Sequence, residues 1–201
     1  MRFSIIVPAH NTDRWIRKCL ESIRNQKYSD YELIVICDAC TDNTESIAKE
    51  YADIVKTVNY STDGLTRNEG IDCASGDYIL FVDSDDWLLH EYVLRLLDNK
   101  IVAENYPDVI AFSFIIRNYM YANPRGNGGG YWTGAPTKCY KRQFVDTTRF
   151  SGRKIDSDVD FTKEILAKRP RIIEWDMPLY YYNYLREGSY ESKRHGRVQD
   201  A

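Results

Sequence analysis

Three aspartates, Asp83, Asp85 and Asp86, lie within four positions directly after an apolar run, in the segment YILFVDSDDW at residues 78–87. Two carboxylates spaced two residues apart in a turn can both reach a hard divalent cation. Mg²⁺ or Mn²⁺ then shares its remaining positions with substrate phosphates and water. The spacing therefore predicts a metal site that holds a phosphorylated ligand. The alternative is that Asp83 ends a strand while Asp85 or Asp86 caps a helix starting at Trp87, although a cap needs only one acid.

Two further charged positions could serve the same chemistry. Asp38 follows another apolar run, and a carboxylate at a strand end can accept hydrogen bonds from a nucleobase or a ribose. It can equally be a turn or cap residue. Arg67 precedes an apparent helix, where its guanidinium could bind a diphosphate, the alternative being a solvated surface arginine. Taken alone, each of these two residues is compatible with a nucleotide-binding role and with a structural one.

The elements that must position these side chains alternate regularly through the first half of the chain. The predicted strands are 3–9, 31–38, 54–60 and 77–83, and the predicted helices are 13–26, 41–53 and 66–75. Asp13 is the expected cap of the first helix, and Thr41 or Asp42 that of the second. Strands that are apolar on both faces and separated by helices predict an α/β fold, with a mostly parallel central sheet and helices on both faces.

Such a sheet binds ligands beyond the carboxyl ends of its strands. This rule places three polar segments along one rim, namely residues 8–11, 38–42 and 83–86. We therefore expect the acidic cluster and Asp38 to face a common crevice.

The second half of the chain has a less regular pattern. It predicts a helix at 89–105, a strand at 108–119, a helix at 156–170 and extended structure after that. The segment 122–136 contains GNGGG, which lacks the spacing and the following helix of a phosphate-binding loop. We expect it to form a mobile loop over a site.

Length and composition limit the class of protein. The chain has 201 residues, 43% of them hydrophobic and 28% charged, which suits one domain with a substantial core. A formal net charge of −3 gives no overall field that would attract a nucleic acid. No apolar run reaches the ~20 residues of a membrane span, and the N-terminus has too short an apolar run for a signal peptide. We expect a cytoplasmic protein, with attachment to a membrane surface left open.

The five cysteines are scattered among apparent core segments. Cys37 and Cys40 form a CxxC pair, but no second pair accompanies it and the three histidines are dispersed. We interpret the thiols as small buried hydrophobic groups in a reducing compartment rather than as a metal or redox site.

Three motifs resemble, in order and spacing, the N-terminal half of family 2 glycosyltransferases. They read SIIVPAHN, DACTDNT and LTRNEGIDCASGDYILFVDSDDW here, where the family has SVIIPxYN, DDGSTDxT and ARNxGLxxAxGxYIxFLDSDD. Weaker similarity follows in TKCYKRQFV, DSDVDFTKEIL and PLYYYNYLREGS. The resemblance implies the nucleotide-sugar-binding GT-A fold in one domain over 1–201. Residues 1–100 would form the nucleotide-sugar-binding half and 101–201 the acceptor-binding half, either alone or as a module of a longer protein.

The resemblance also implies a role for each matching position. Asp85 and Asp83 would bind Mn²⁺ or Mg²⁺ through an Asp-X-Asp motif, and Asp158 would be the catalytic base. The nucleoside-diphosphate sugar, with a UDP-sugar favoured, would be bound by Pro8, Ala9, Asn11, Asp38, Arg67, Asp83 and Ser84. The implied reaction transfers the sugar to a hydroxyl of a glycan or other acceptor with inversion, as in polysaccharide biosynthesis.

This sequence departs from the family pattern in two places. Ser157 replaces the glutamate that precedes the family's catalytic aspartate, and Asp156 and Asp160 flank Asp158, so the identity of the base stays open among the three. Alternatively, the three acids at 156–160 could only stabilise the helix start, where the macrodipole favours negative charge. In DACTDNT, we align Ala39 with one of the family's acids and Cys40 with its glycine, a change that could alter base recognition.

Two other classes of protein share some of these features. A nucleotidyltransferase would also use a carboxylate-bound metal, but it would carry a Gly-rich, basic loop near the first strand, which PAHNTDRW lacks. A non-catalytic carbohydrate-binding module would explain the 16 tyrosines but not the acidic cluster. His195 could approach the cation if the basic C-terminal tail folds back, whereas a frayed terminus is the simpler expectation.

Overall fold

The computed structural model describes residues 2–116, 120–122, 124, 134–153 and 156–184. Their strands form a single twisted sheet in the order β3-β2-β1-β4-β8-β6-β9-β5, with β7 paired to β6 outside this path. Within the described ranges, no helix has the length and apolar character needed to cross a membrane.

The first half of the chain builds the parallel part of the sheet. Its strands are β1 (Phe3–Ala9), β2 (Tyr31–Asp38), β3 (Ile54–Val58) and β4 (Tyr78–Phe81). The connecting helices are α1 (Ile16–Arg24), α2 (Thr44–Tyr51) and α3 (Asp63–Cys73). Strand β1 pairs in parallel with both β2 and β4, and β2 pairs in parallel with β3. The predicted α/β architecture is therefore confirmed in this half.

The second half extends the sheet with mixed pairing. Its strands are β5 (Trp87–Leu88), β6 (Val109–Ile116), β7 (Met120–Ala122), β8 (Lys138–Lys141) and β9 (Ile172–Tyr182). The helices are α4 (Val93–Ala103), α5 (Arg142–Val145) and α6 (Ser157–Ala167), with a short 3₁₀ turn at Ala135–Thr137. Strand β8 runs antiparallel between β4 and β6, and β9 runs parallel to β6. The last described strand, β9, thus belongs to the same sheet as the strands of the first half.

Apolar side chains fill both faces of the parallel strands. In β1, Ile5 and Val7 belong to one buried cluster, and Ile6 belongs to another on the opposite face. Successive side chains of a strand point to opposite faces, so a strand covered on both sides must be apolar throughout. This explains why residues 3–9 are all buried.

Helix starts differ most from the sequence-based expectations. Helix α1 begins after Trp15, not after Asp13, whose backbone N–H instead donates to the Asp42 carboxylate at 3.1 Å. The N-cap of α2 is Asn43 rather than Thr41 or Asp42, although the Asp42 carboxylate accepts the N–H of Thr44, the first residue of the helix, at 2.9 Å. Helix α3 starts at Asp63, three residues earlier than predicted, because the hydrogen bonds that fix its first turn come from tertiary contacts described below.

Candidate active site

The carboxyl ends of β1, β2 and β4 meet, as the parallel topology requires. Thr12 donates its hydroxyl to Ser84 Oγ at 3.1 Å, which joins the segment after β1 to the acidic segment after β4. Asn11, in a left-handed conformation with φ of 49°, accepts the backbone N–H of Thr41 at 2.8 Å. Pro8 and Ala9 are the buried last residues of β1 at the same edge. The predicted common rim therefore forms, and Pro8, Ala9, Asn11 and Ser84 all lie on it.

The three clustered aspartates have different environments. Residues 83–86 form a turn closed by the Asp86 N–H, which donates to the Asp83 carbonyl at 2.9 Å. Asp86 points inward, where its carboxylate accepts the Tyr180 hydroxyl at 2.5 Å and the Asn183 N–H at 2.8 Å. Burial, together with the charges of Asp85 and Asp83, raises the pKa of Asp86 well above its ordinary value. Asp86 therefore fixes the turn to β9, and no helix starts at Trp87, which instead begins the short strand β5.

Asp83 and Asp85 remain half-buried at the rim. Asp83 Oδ1 accepts a hydrogen bond from Arg67 Nη2 at 2.7 Å. Burial raises the pKa of Asp83 to about 6; Arg67 acts in the opposite direction, and Asp85 and Asp158 add to the rise. Asp83 thus lies among one arginine and two further acids, Asp85 and Asp158.

Arg67 is the cation at the centre of the site. It lies inside α3 rather than before a helix, and its side chain is only 6% exposed. Its Nη1 atom lies 3.4 Å from Asp158 Oδ1, and its Nη2 atom contacts Asp83, so one guanidinium bridges the two acids. Burial lowers the pKa of Arg67, but the carboxylates of Asp158, Asp83 and Asp63 outweigh it and raise that pKa above the ordinary value. Arg67 is therefore not a solvated surface arginine.

Asp158, in the first turn of α6, is the acid of the 156–160 segment that faces this centre. Its Oδ2 atom accepts the Ala135 N–H at 3.2 Å. Asp160 instead accepts hydrogen bonds from Ser151 and Arg153, and Asp156 lies 3.6 Å from Arg153. Asp156 and Asp160 thus point toward Arg153, whereas Asp158 points toward Arg67.

Three buried polar atoms beside Arg67 lack a hydrogen-bond partner in the described structure. They are Arg67 Nε, Tyr140 Oη and Asp158 Oδ1. Burial raises the pKa of Tyr140 well above its ordinary value, and the charge of Asp158 adds to the rise. Buried polar groups are usually satisfied. Among the described residues, the contact of Asp158 Oδ1 is therefore the ion pair with Arg67 rather than a hydrogen bond.

Lys138 is a second cation behind Asp158, and sequence reasoning missed it. It is buried on β8, and its Nζ donates to the Gly134 carbonyl at 2.9 Å. Burial lowers its pKa to about 7, against the opposing attraction of Asp158. The only available sequence signal was its position in TKCYKRQFV, whose family counterpart also has lysine there.

Asp38 is buried and is held entirely by the protein. Its Oδ1 accepts the N–H groups of Tyr60 and Ser61 at 2.7 and 3.0 Å, and its Oδ2 accepts the Thr62 N–H at 3.2 Å and the Thr66 hydroxyl at 2.9 Å. Burial raises the pKa of Asp38, but these hydrogen bonds outweigh it and hold the pKa below the ordinary value. Asp38 thereby fixes the start of α3 and the position of Arg67; its contact with a base stays a prediction.

The segment after β2 corrects the expected alignment of its motif. Ala39 has φ of 48°, the left-handed region that favours glycine. Ala39, rather than Cys40, therefore stands where the family has glycine. Its N–H donates to the Val58 carbonyl at 2.9 Å, which keeps the tight turn attached to β3.

Two expectations cannot be compared with the structure. His195 and the GNGGG segment lie outside the described residues. Among the described residues, no group of three or more histidine, cysteine, aspartate or glutamate side chains is arranged to hold a metal ion. The cation prediction therefore rests on Asp83 and Asp85 alone.

Comparison with known proteins identifies one family. The model of the family described as "Glycosyl transferase family 2" matches residues 4–154. Glycosyltransferase GlyA of Streptococcus pneumoniae is 27% identical over 94% of this chain and 31% of its own length. The poly(ribitol-phosphate) beta-N-acetylglucosaminyltransferase TarS of Staphylococcus aureus is 26% identical over all of this chain and 38% of its own. The chain thus spans about a third of the length of these curated relatives.

Solved structures share the fold. The crystal structure of S. aureus TarS in complex with UDP-GlcNAc matches with a TM-score of 0.81 and 26% identity, over 96% of this chain and 61% of that chain. A mannosyltransferase from Pyrobaculum calidifontis, in complex with GDP-Man and Mn²⁺, matches with a TM-score of 0.74 over 96% of this chain and 59% of that chain. At 17% identity the second comparison shows the fold alone.

Proposed function

Because this chain belongs to glycosyl transferase family 2, we propose that it transfers a sugar from a nucleoside-diphosphate sugar to a hydroxyl of a glycan. A UDP-sugar is the favoured donor, since the similar TarS was crystallised with UDP-GlcNAc. Poly(ribitol-phosphate) is the acceptor named for that relative. A polyhydroxylated chain of this kind is the acceptor class we propose here.

One observation carries the proposal. The buried Arg67 bridges Asp83, beside the predicted cation, and Asp158, the predicted base, at 2.7 and 3.4 Å. A leaving diphosphate next to Asp83 and an acceptor hydroxyl next to Asp158 would therefore lie on two sides of one guanidinium. A displacement at one carbon atom needs its leaving group and its nucleophile to be held close together, on opposite sides of that atom.

The residues fit a divalent cation such as Mn²⁺ or Mg²⁺. Asp83 and Asp85 offer half-buried carboxylate oxygens on one turn, which is the ligand type that such a cation prefers. Mg²⁺ is commonly bound by one or two carboxylates together with substrate phosphates, so a complete protein cage is not needed. When bound, the cation would stabilise the negative charge that develops on the diphosphate.

The proposed mechanism is a single displacement with inversion at the anomeric carbon. Asp158 accepts the proton of the acceptor hydroxyl as that oxygen bonds to the carbon. Arg67 donates toward the departing diphosphate and limits the charge that builds there. Pro8, Ala9, Asn11, Asp38 and Ser84 form the wall of the nucleotide pocket. In this proposal residues 1–100 bind the donor and 101–201 the acceptor.

The first test is calorimetric titration of UDP into the protein with Mn²⁺ and again with EDTA. We expect binding that requires the cation and is lost in Asp85→Ala. Asp77→Ala is the matched control, because Asp77 is exposed at the opposite, amino end of the same strand. UDP binding that survives both EDTA and Asp85→Ala would contradict the metal assignment.

The base is tested by transfer of labelled sugar from a panel of UDP-sugars. Asp158→Asn should lower the transfer rate by ~10²–10⁴-fold while UDP affinity stays within a factor of about two. Asp156→Asn and Asp160→Asn, on the same helical turn, serve as matched controls and should retain transfer. If Asp160→Asn abolishes transfer and Asp158→Asn does not, the assignment of the base is wrong.

A further inference from the structure

Two contacts, one on each oxygen, restrict the orientation of the Asp158 carboxylate within the described part of the chain. The Oδ1 atom accepts no hydrogen bond there and lies 3.4 Å from the Arg67 guanidinium. The Oδ2 atom accepts the Ala135 N–H at 3.2 Å. Because an aspartate side chain can otherwise rotate between rotamers, the direction of the Ala135 N–H helps to decide where this carboxylate points.

The Ala135 amide belongs to the short turn just before β8, and two side chains bind the carbonyl at the start of that turn. Lys138 Nζ donates to the Gly134 carbonyl at 2.9 Å. The Thr137 hydroxyl donates to the same carbonyl at 3.1 Å. The position of the Gly134 carbonyl is therefore fixed from two sides.

The Gly134 carbonyl and the Ala135 N–H are the two polar ends of one peptide group. Because a trans peptide group is planar, its C=O and its N–H point in opposite directions. Lys138 and Asp158 therefore bind opposite ends of the same rigid unit. A rotation that moved the carbonyl away from Lys138 would also turn the N–H away from Asp158.

Lys138 is itself anchored in the interior of the sheet. It is the first residue of β8, which pairs with β4 on one side and β6 on the other, and it is buried. A group on a paired strand is held more precisely than one on a loop. Burial lowers the pKa of Lys138 to about 7, so the charged amine is unfavourable here, and an apolar side chain of similar length would avoid that cost. Fold stability alone does not explain a lysine at this position.

We propose that Lys138 is a positioning residue for the catalytic base, and that it acts through the Gly134–Ala135 peptide group to hold the Asp158 carboxylate toward the acceptor hydroxyl. This role rests on the proposed function, in which Asp158 accepts the proton. Lys138 does not touch the substrates. Because proton transfer requires the base to lie within hydrogen-bond reach of the hydroxyl, a small shift of the carboxylate is enough to slow it.

The first measurement is steady-state transfer of labelled sugar by the full chain, from the panel of UDP-sugars to poly(ribitol-phosphate). Lys138→Met should lower kcat by ~10–10²-fold and leave KM for the UDP-sugar unchanged, because the proposed donor pocket lies at the strand ends and not at this turn. Lys141→Met is the matched control, since Lys141 is on the same strand but on its opposite face. It should leave kcat unchanged. An unchanged kcat in Lys138→Met would overturn the proposal.

A double-mutant cycle separates positioning from a merely structural role. The base is absent in the Asp158→Asn background, so Lys138→Met should have no further effect on kcat there. A loss of the same size in both backgrounds would show that Lys138 acts independently of Asp158, and the proposal would be wrong. If Lys138→Met does not fold, Thr137→Val removes the other donor to the Gly134 carbonyl and takes its place in the cycle.

The contact itself is measured without a transfer assay, by amide hydrogen exchange in protein labelled with ¹⁵N-alanine. Relative to the N–H of Ala48, which is buried in α2, the Ala135 N–H should exchange roughly 2–10-fold faster in Lys138→Met, the effect of losing one hydrogen bond. Equal relative exchange in the two proteins would show that Lys138 does not hold the peptide group. If the wild type transfers no sugar, the proposed function fails, while the exchange result still decides whether Lys138 fixes this turn.

Discussion

Lys138→Met should change how the stability of this protein depends on pH. Lys138 is buried behind Asp158, and burial lowers its pKa from 10.5 to about 7. The unfolded chain therefore holds the lysine proton up to a higher pH than the folded chain does. Folding stability attributable to this residue is greatest above the unfolded pKa of 10.5 and is lost as the pH falls toward 7.

The magnitude follows from the size of the pKa shift. At about 1.36 kcal/mol per pKa unit, the lowering from 10.5 to about 7 amounts to roughly 4–5 kcal/mol in full. Most of that difference arises between pH 7 and pH 10. Allowing for relaxation around the buried charge, we expect the stability of Lys138→Met relative to the wild type to decrease by about 2–4 kcal/mol over this range. At pH 7 the variant should be the more stable protein.

Urea unfolding followed by tryptophan fluorescence, at several values between pH 7 and 10, measures this difference directly. Lys163→Met is the matched control, since Lys163 is exposed on the neighbouring helix α6. It measures the effect of replacing an exposed lysine by methionine, against which the Lys138→Met result is compared. A Lys138→Met difference that stays constant within about 0.5 kcal/mol would refute the claim that Lys138 is buried with a lowered pKa.

Three other substitutions test the framework of the site. Tyr180→Phe leaves the Asp83 N–H without its acceptor and the Asp86 carboxylate with only the Asn183 N–H as a donor. The free energy of unfolding should therefore fall by about 1–3 kcal/mol and Mn²⁺-dependent UDP binding should weaken; unchanged binding in calorimetry would show that the turn is held by other contacts. Asp38→Asn should lower the free energy of unfolding, measured in urea, by about 2–3 kcal/mol, because an amide cannot accept the four hydrogen bonds of the carboxylate. Gly70→Ala places a methyl group onto the Ile6 side chain and should lower stability by about 1–3 kcal/mol, whereas a neutral result would mean that α3 can move away from β1.

Local patterns were sufficient to find the strands of the first half. The predicted bounds of β1 and β2 agree with the structure residue for residue, because buried parallel strands require continuous apolar runs that sequence shows directly. The rule that ligands bind at the carboxyl ends of such strands then identified the rim. The motifs on that rim led to the family that the comparison found, glycosyl transferase family 2.

The boundaries of the helices, and the strand pairings of the second half, were harder to predict from the sequence. Helix α3 begins at Asp63 because the Asp38 carboxylate, 24 residues earlier than Thr62, binds the N–H groups before it. The alternative of a helix starting at Trp87 is wrong, because Trp87 and Leu88 form a strand that pairs with Tyr181 and Tyr180 of β9. Such contacts join residues far apart in the sequence, so no local pattern contains them.

The sequence by itself determined which residue types line the site: carboxylates at strand ends, an arginine in the segment after β3 and acidic residues in the first turn of a helix. Only the tertiary structure decided what each does. Tyr180, 94 residues from Asp86, donates a hydrogen bond to the Asp86 carboxylate. Asp86 therefore has a structural role, whereas Asp83 and Asp85 stay at the rim. The packing of α3 against α6 places Arg67 between Asp83 and Asp158, and the burial of β8 gives Lys138 its lowered pKa. Charge and hydrogen-bonding capacity belong to a residue, but burial and distance, which set its pKa and its partners, belong to the fold.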